Sequence, residues 1–538
     1  MLPTHQTRSP THLAARCGRF FIRTRPLVLA AAFALCAACS VEGAIDIELL
    51  WPDETLAPEK SDIFEITLVR NAAGEPTTRT VHRAPDPTGA ISLGRVEPGA
   101  DLRLAVELRS FNQRLIGYGR SQVGVDVEPG DTVTVTMNMR KPFLYMTGDA
   151  TISTYDPTID TDGLGSINAV PTPLATATSS DGSALYVAHG SPGAYTLTVL
   201  STADHAKPLF NPIDLDAAPS DAPVDIAVSA DGRYVALAHL SGVTVVDIEA
   251  RTVALIDVGG PVSRVAAAPG GAPLAYALLD RDADCNSTTT SRVAALDLSD
   301  PQAPLGSLTL SGPAQDLAAM PDTGAGPEVL VASRCDDSVL ALSITDAGSP
   351  TSAVFASVTG VTTLAVLDDR VWAVGSNQIQ DGAYLLAVSL DLTGALQSMT
   401  ELPILQERAQ TEAYSGTGDE SVRQMNPDTV TAVHMGVLPG GETLALTIES
   451  TFDAPERGTA ELLGIELPVL PSIDLSNREF VLFDVNTATI TQRVRTYCDL
   501  DFSILAIVLD WVCGRSADQA VTASEFEPTG LSILYGAN

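Results

Sequence analysis

The chain has 538 residues, 45% of them hydrophobic and only 5% aromatic, and its 66 acidic against 31 basic residues give a formal charge of −35. That balance repels phosphate backbones and anionic head groups at long range, so nucleic acid is excluded as a natural partner, and the acidity is read as a solubility device. The length exceeds one ordinary core, and 41 Gly and 35 Pro without a fixed period suit many short strands joined by turns.

Residues 1–38 hold Arg8, Arg16, Arg19, Arg23 and Arg25 and no acid, followed by an apolar run from Leu27 to Ala38. The run is too short to span a bilayer, and with its basic flank it reads as an export signal. Leu35-Cys36-Ala37-Ala38-Cys39-Ser40 resembles the lipobox of bacterial lipoproteins, which implies diacylation at Cys39, with Cys36 as the alternative. The resemblance implies a lipid anchor in the cell envelope. Ser40 after the cysteine, in place of aspartate, points to the outer membrane. Cys36 and Cys39 also spell Cys-x-x-Cys, but they lie in a cleavable segment with no second pair, so metal and redox chemistry are set aside.

From Ile45 to Met139 seven runs alternate apolar and polar residues: 45–50, 64–69, 77–82, 90–96, 102–108, 115–127 and 132–139. Period two with Pro, Gly and Asp between runs predicts half-buried strands, and hence an N-terminal β-sandwich over 39–142 acting as a stalk.

A longer period starts after Lys141. Thr178–Gly190 and Val228–Leu240 superimpose at a spacing of fifty residues, each reading strand, Asp-Gly turn, strand, and the pair is expected to form a two-residue hairpin. Similar punctuation recurs at Gly270-Gly271, Asp322-Thr323-Gly324, Asp368-Asp369, Gly440-Gly441 and Thr529-Gly530, giving seven hairpins. Further β-rich segments follow the first six, several ending in apolar-Asp, as at Val246-Asp247, Leu296-Asp297 and Phe483-Asp484. Repeats of this length predict a seven-bladed β-propeller over 143–538, so the fold class is all-β. Ser229-Ala230-Asp231-Gly232-Arg233-Tyr234-Val235 with Val243-Thr244-Val245-Val246-Asp247 resembles the repeat of YVTN-type propellers, whose members include binding scaffolds and enzyme-like relatives. Ring closure is expected to unite residues 143–170, as outer strands, with an inner strand within 521–528. Insertions at 406–427 and 451–477 are too long for ordinary connections and are the expected specificity loops.

Candidate chemistry is sparse. Asp280, Asp282, Asp284 and Asn286 alternate like the start of a calcium loop, but Cys285 stands where the turn glycine belongs and Ser291 where a bidentate Glu would close it. A solvated acidic turn with no cofactor is the default reading, with calcium as the alternative. Asp160, Asp162 and Gly163 echo it weakly. His189 and His239 recur at one repeat position, which repeat equivalence alone explains. His189-Gly190-Ser191-Pro192-Gly193 lacks the first glycine of a nucleophile elbow. An even number of cysteines beyond Cys39 predicts disulfides, Cys285 with Cys335 and Cys498 with Cys513. The favoured function is a lipid-anchored, non-enzymatic binding or scaffold module for an envelope protein or glycan. The alternative is a periplasmic hydrolase or lactonase using carboxylates or a divalent cation at the channel mouth.

Overall fold

A computed structural model describes residues 42–499 and 530–533 apart from connecting stretches, the longest being 51–62, 70–76, 83–89, 156–163, 410–421, 453–459 and 468–474. Cys39 and the export signal, Asp160, Asp162, Gly163, Asp282, Asp284 and Cys513 lie outside the described residues. Every regular element among the described residues is a strand. The chain divides into two compact units, 1–142 and 143–538.

The N-terminal unit contains a three-stranded sheet and a second sheet built around Gly99–Arg109. In the first, Gly43–Leu50 runs antiparallel to Ala90–Val96 and parallel to Thr132–Asn138. Its burial alternates along the strand, with Ile45, Ile47 and Leu49 joining Leu102, Leu104, Val106 and Leu108 in one apolar cluster. The run read as a single strand over 115–127 is two strands, Leu115–Arg120 and Val125–Val127, which pair with different parts of Gly99–Arg109. Among the described residues the unit therefore has eight strands where the sequence pattern shows seven runs.

Among the described residues the second unit holds seven four-stranded antiparallel sheets. Six are continuous blades whose innermost strands are Pro173–Thr178, Asp225–Val228, Val262–Ala267, Asp316–Ala319, Val361–Leu367 and Thr429–Val437, named here first to sixth. The closing blade takes Leu144–Thr147, Ile152–Tyr155 and Leu164–Ile167 from one end of the unit and Gly530–Ile533 from the other, with Leu531 opposite Met146. Each innermost strand packs on the next, and Gly530–Ile533 contacts both Thr429–Val437 and Pro173–Thr178, so the ring is continuous. This is a β-propeller. The inner closing strand lies at 530–533 instead of within 521–528, which falls outside the described residues; Gly530 is part of a strand and not of a hairpin turn.

Apolar clusters seal neighbouring blades. Between the second and third they are rich in alanine, with Ala227, Ala236, Ala238, Ala267, Ala275 and Ala277 all buried, because strands crowded near an axis leave room only for small side chains. Tyr155 meets Phe480 with ring centroids 5.9 Å apart where the closing blade packs on the sixth.

The repeat motif has a local cause. Ser229 N donates to Tyr234 O and Tyr234 N to Ser229 Oγ, each at 2.9 Å, enclosing a four-residue connection, not the two-residue hairpin that Asp-Gly suggests. Within it Gly232 N closes a turn on Ser229 O, and Gly232 takes the positive φ of 71° that a side chain resists. Asp231 accepts from Ser229 Oγ and Arg233 N. The apolar-Asp endings work alike: Asp247, Asp297 and Asp484 accept backbone N–H groups from the turn that follows each.

Candidate functional site

In a four-stranded antiparallel blade the innermost strand starts at the end where the second strand stops and the third begins. That mouth end therefore carries the connections between blades and those between second and third strands. The Ser-x-Asp-Gly turns lie at the opposite, hairpin end.

At the mouth, five innermost strands place one polar residue each beside the channel: Asp225, Arg264, Asp316, Thr363 and His434. They line a cavity of about 170 Å³ together with small residues such as Ala177, Ala266, Ala318 and Gly436 and with Thr176 and Thr178 of the first blade. Arg264 of the third blade crosses the channel. Its Nε lies 3.6 Å from Asp316 Oδ1 on the fourth blade, and its Nη2 lies 3.4 Å from both Val433 O and His434 Nδ1 on the sixth. Arginine only donates, so in this contact His434 Nδ1 is the acceptor.

Asp316 Oδ2 also accepts from Thr363 Oγ1 at 2.7 Å and Leu364 N at 3.0 Å. Asp225 Oδ2 accepts from Val265 N at 2.9 Å. Burial pushes the Asp225 carboxyl above its ordinary pKa, opposed by Arg264 and by the Val265 N–H.

The other candidates have local partners. Asp280 Oδ2 pairs with Arg292 Nε at 3.2 Å, and its backbone carbonyl takes the Ser291 hydroxyl at 3.0 Å. Ser291 in turn accepts Ala314 N at 2.8 Å, which gives it a packing role. No group of three or more His, Cys, Asp or Glu able to hold a metal occurs among the described residues. His189 Nε2 meets Thr198 Oγ1 at 2.8 Å, whereas buried His239 uses Nδ1 on Asp221 O at 3.0 Å. Ser191 pairs with Ala194 across a tight hairpin, so it is not on a strand-to-helix elbow. A disulfide joins Cys285, in the third blade's mouth-end connection, to Cys335 in the fourth blade's, with Cα atoms 5.2 Å apart.

The polar ring escaped motif searching, because each strand supplies a single member. A column reading finds it: Asp225, Arg264, Asp316 and His434 each stand six residues before the turn at Asp231, Gly270, Asp322 and Gly440. The first blade has Ala175 there.

No protein-family model and no curated protein matches the chain. Among solved structures, the chain is similar to Kuenenia stuttgartiensis hydrazine synthase, at 13% identity and TM-score 0.33, covering 61% of this chain and 96% of that one. It is also similar to the Myceliophteria thermophila Cps50 (Swd1) β-propeller domain, at 11% identity and TM-score 0.35, covering 60% and 86%. The RRP9 WD40 repeats give 12% identity and TM-score 0.31, covering 51% and 86%. At these values the likenesses say nothing about chemistry or partners.

Proposed function

We propose that the chain is an envelope lipoprotein, lipidated at Cys39 and held by that anchor at the outer membrane, whose YVTN-type propeller is a binding or scaffold module that meets its partner at the mouth end. The carrying observation is that the chain's additions share that end. The strand pair Gln406–Ala409 with Val422–Met425 interrupts the connection from the fifth blade to the sixth, and Ala460–Leu462 with Ile465–Leu467 interrupts the second-to-third connection of the sixth. The Cys285–Cys335 bridge ties two more connections there. Added loops on a rigid ring are where recognition is ordinarily built. The N-terminal sandwich serves as a spacer behind the anchor.

The hydrolase or lactonase reading has less support, because Asp316 is engaged by Arg264, Thr363 and Leu364 and so is poorly placed to act as base or ligand. The test replaces 406–425 and 453–474, separately and together, by short Gly/Ser linkers in the full lipidated chain. Native electrophoresis of solubilised envelopes is expected to show the wild type in a larger assembly that the double variant loses while its melting temperature holds. A wild type that migrates alone, or a folded double variant that keeps its assembly, overturns the reading.

A further inference from the structure

We propose that the channel mouth binds a small uncharged polyol, a vicinal diol lying between the Asp225 carboxylate and the Arg264 guanidinium. The site is separate from the rim loops assigned to a larger partner, and nothing in it depends on that reading.

The unfilled hydrogen-bonding capacity comes first. Asp225 and Arg264, on neighbouring blades, line one cavity. Asp225 Oδ2 takes the Val265 N–H at 2.9 Å, which leaves most of the carboxylate's roughly four lone-pair sites for a ligand. Arg264, its side chain only 11% exposed, reaches its partners at long range: Nε to Asp316 Oδ1 at 3.6 Å, and Nη2 to Val433 O and His434 Nδ1 at 3.4 Å. A charge-assisted hydrogen bond from a guanidinium is ordinarily about 2.7–2.9 Å long, so the donor fork is loosely engaged. Among the described residues its Nη1 makes no hydrogen bond.

Second, the pairing selects a class of ligand. A carboxylate and a guanidinium opening on one cavity disfavour either sign of charge, since a cation meets Arg264 and an anion meets Asp225. A zwitterion would bring another carboxylate beside Asp316, which already faces Arg264. A hydroxyl suits both groups, because it donates to one and accepts from the other, and two on adjacent carbons reach both at once. Thr363 gives its hydroxyl proton to Asp316 at 2.7 Å and so offers oxygen lone pairs, and Thr176 and Thr178 add further hydroxyls to the lining. Burial raises the Asp225 carboxyl above its ordinary pKa, and a hydroxyl pairs with either of its protonation states.

Third, size bounds the occupant. A cavity of about 170 Å³ compares with the ~150 Å³ one that holds a single benzene, so the ligand has about six to eight non-hydrogen atoms, those of a three- or four-carbon polyol.

The test titrates the whole mature chain with erythritol, n-butanol, n-butylammonium, butyrate, alanine and methyl glucoside, followed by ligand-observed NMR and calorimetry. Erythritol is expected to bind at least tenfold more tightly than each of the others. Asp225→Ala should weaken erythritol at least tenfold, and Ala266→Leu should block it by filling the cavity. Absence of erythritol binding to the folded wild type, equal or tighter binding of any other probe, or unchanged erythritol affinity in either folded variant overturns the proposal. Should the variants not fold, the wild-type ranking decides alone. Because the linker variants leave Asp225 and Arg264 in place, failure here and failure of the partner reading are separately visible.

Discussion

Asp225 and Val265 belong to neighbouring blades, and the carboxylate Oδ2 of the first accepts the backbone N–H of the second at 2.9 Å. Two blades further on, Asp316 and Leu364 repeat the arrangement at 3.0 Å. The second and fourth blades thus each hand a carboxylate to the next innermost strand, and Arg264 and Thr363 fill the same column on the third and fifth. The contact links sequence repeat to ring assembly, since it satisfies a backbone donor that blade-internal pairing leaves over.

Asp316→Ala removes the acceptor for Leu364 N and Thr363 Oγ1 and the counter-charge of Arg264, which is mostly buried. Leaving such groups unpaired costs about 1–3 kcal/mol for a neutral donor and more where a charge is stranded. We expect a loss of about 3 kcal/mol in urea unfolding of the propeller transition, and a smaller loss for Asp316→Asn. Equal stability of Asp316→Ala and wild type would remove the inter-blade role.

Acid should weaken the ring through His189 and His239. Burial holds both imidazoles below their ordinary pKa, opposed at His239 by Asp221 and at His189 by the Pro171 backbone. Unfolded histidine titrates near about 6.5, so above that pH both states are neutral and the contribution is full. As pH falls below it, the unfolded chain takes up protons first and stability drops until the lowered folded pKa is passed. Asp225 acts in the opposite sense, because its carboxyl is raised. Melting temperature should therefore fall from pH 7 to 5, with a shallower slope in the His189→Gln/His239→Gln double variant. An identical slope would contradict the assignment.

The bridge between Cys285 and Cys335 closes a loop with a sequence separation of 50. A loop of that size restricts the unfolded chain by about 4 kcal/mol in the chain-entropy model. Cys285→Ser/Cys335→Ser should lose up to that amount, and reductant should lower the wild-type midpoint without affecting the variant. A reductant effect of equal size on both would place the stabilisation elsewhere.

Fold was legible where local chemistry repeats. Ser229, Asp231 and Gly232 form a turn whose hydrogen bonds are all within six residues, so its recurrence announces blades directly. The fourth, outer strands were harder to read: Thr351–Ser357 and Leu396–Leu402 are largely exposed and send only a few side chains, such as Leu402, into the core. The closing strand Gly530–Ile533 pairs with Leu144–Thr147 from the far end of the unit, a relation that no window of sequence contains. The channel ring was hidden for the same reason, since Arg264 and His434 are 170 residues apart and meet only after the ring closes.

The most direct test of the mouth-end reading is paired photo-crosslinking on one blade in living cells. Leu240, 61% exposed, lies in the second blade's mouth-end turn, and Glu249, with its side chain 77% exposed, lies at the hairpin end of the same blade. A photoreactive residue at 240 is expected to give a discrete crosslinked product that one at 249 does not. Crosslinking from 249 alone, or from both equally, would contradict a partner face at the mouth.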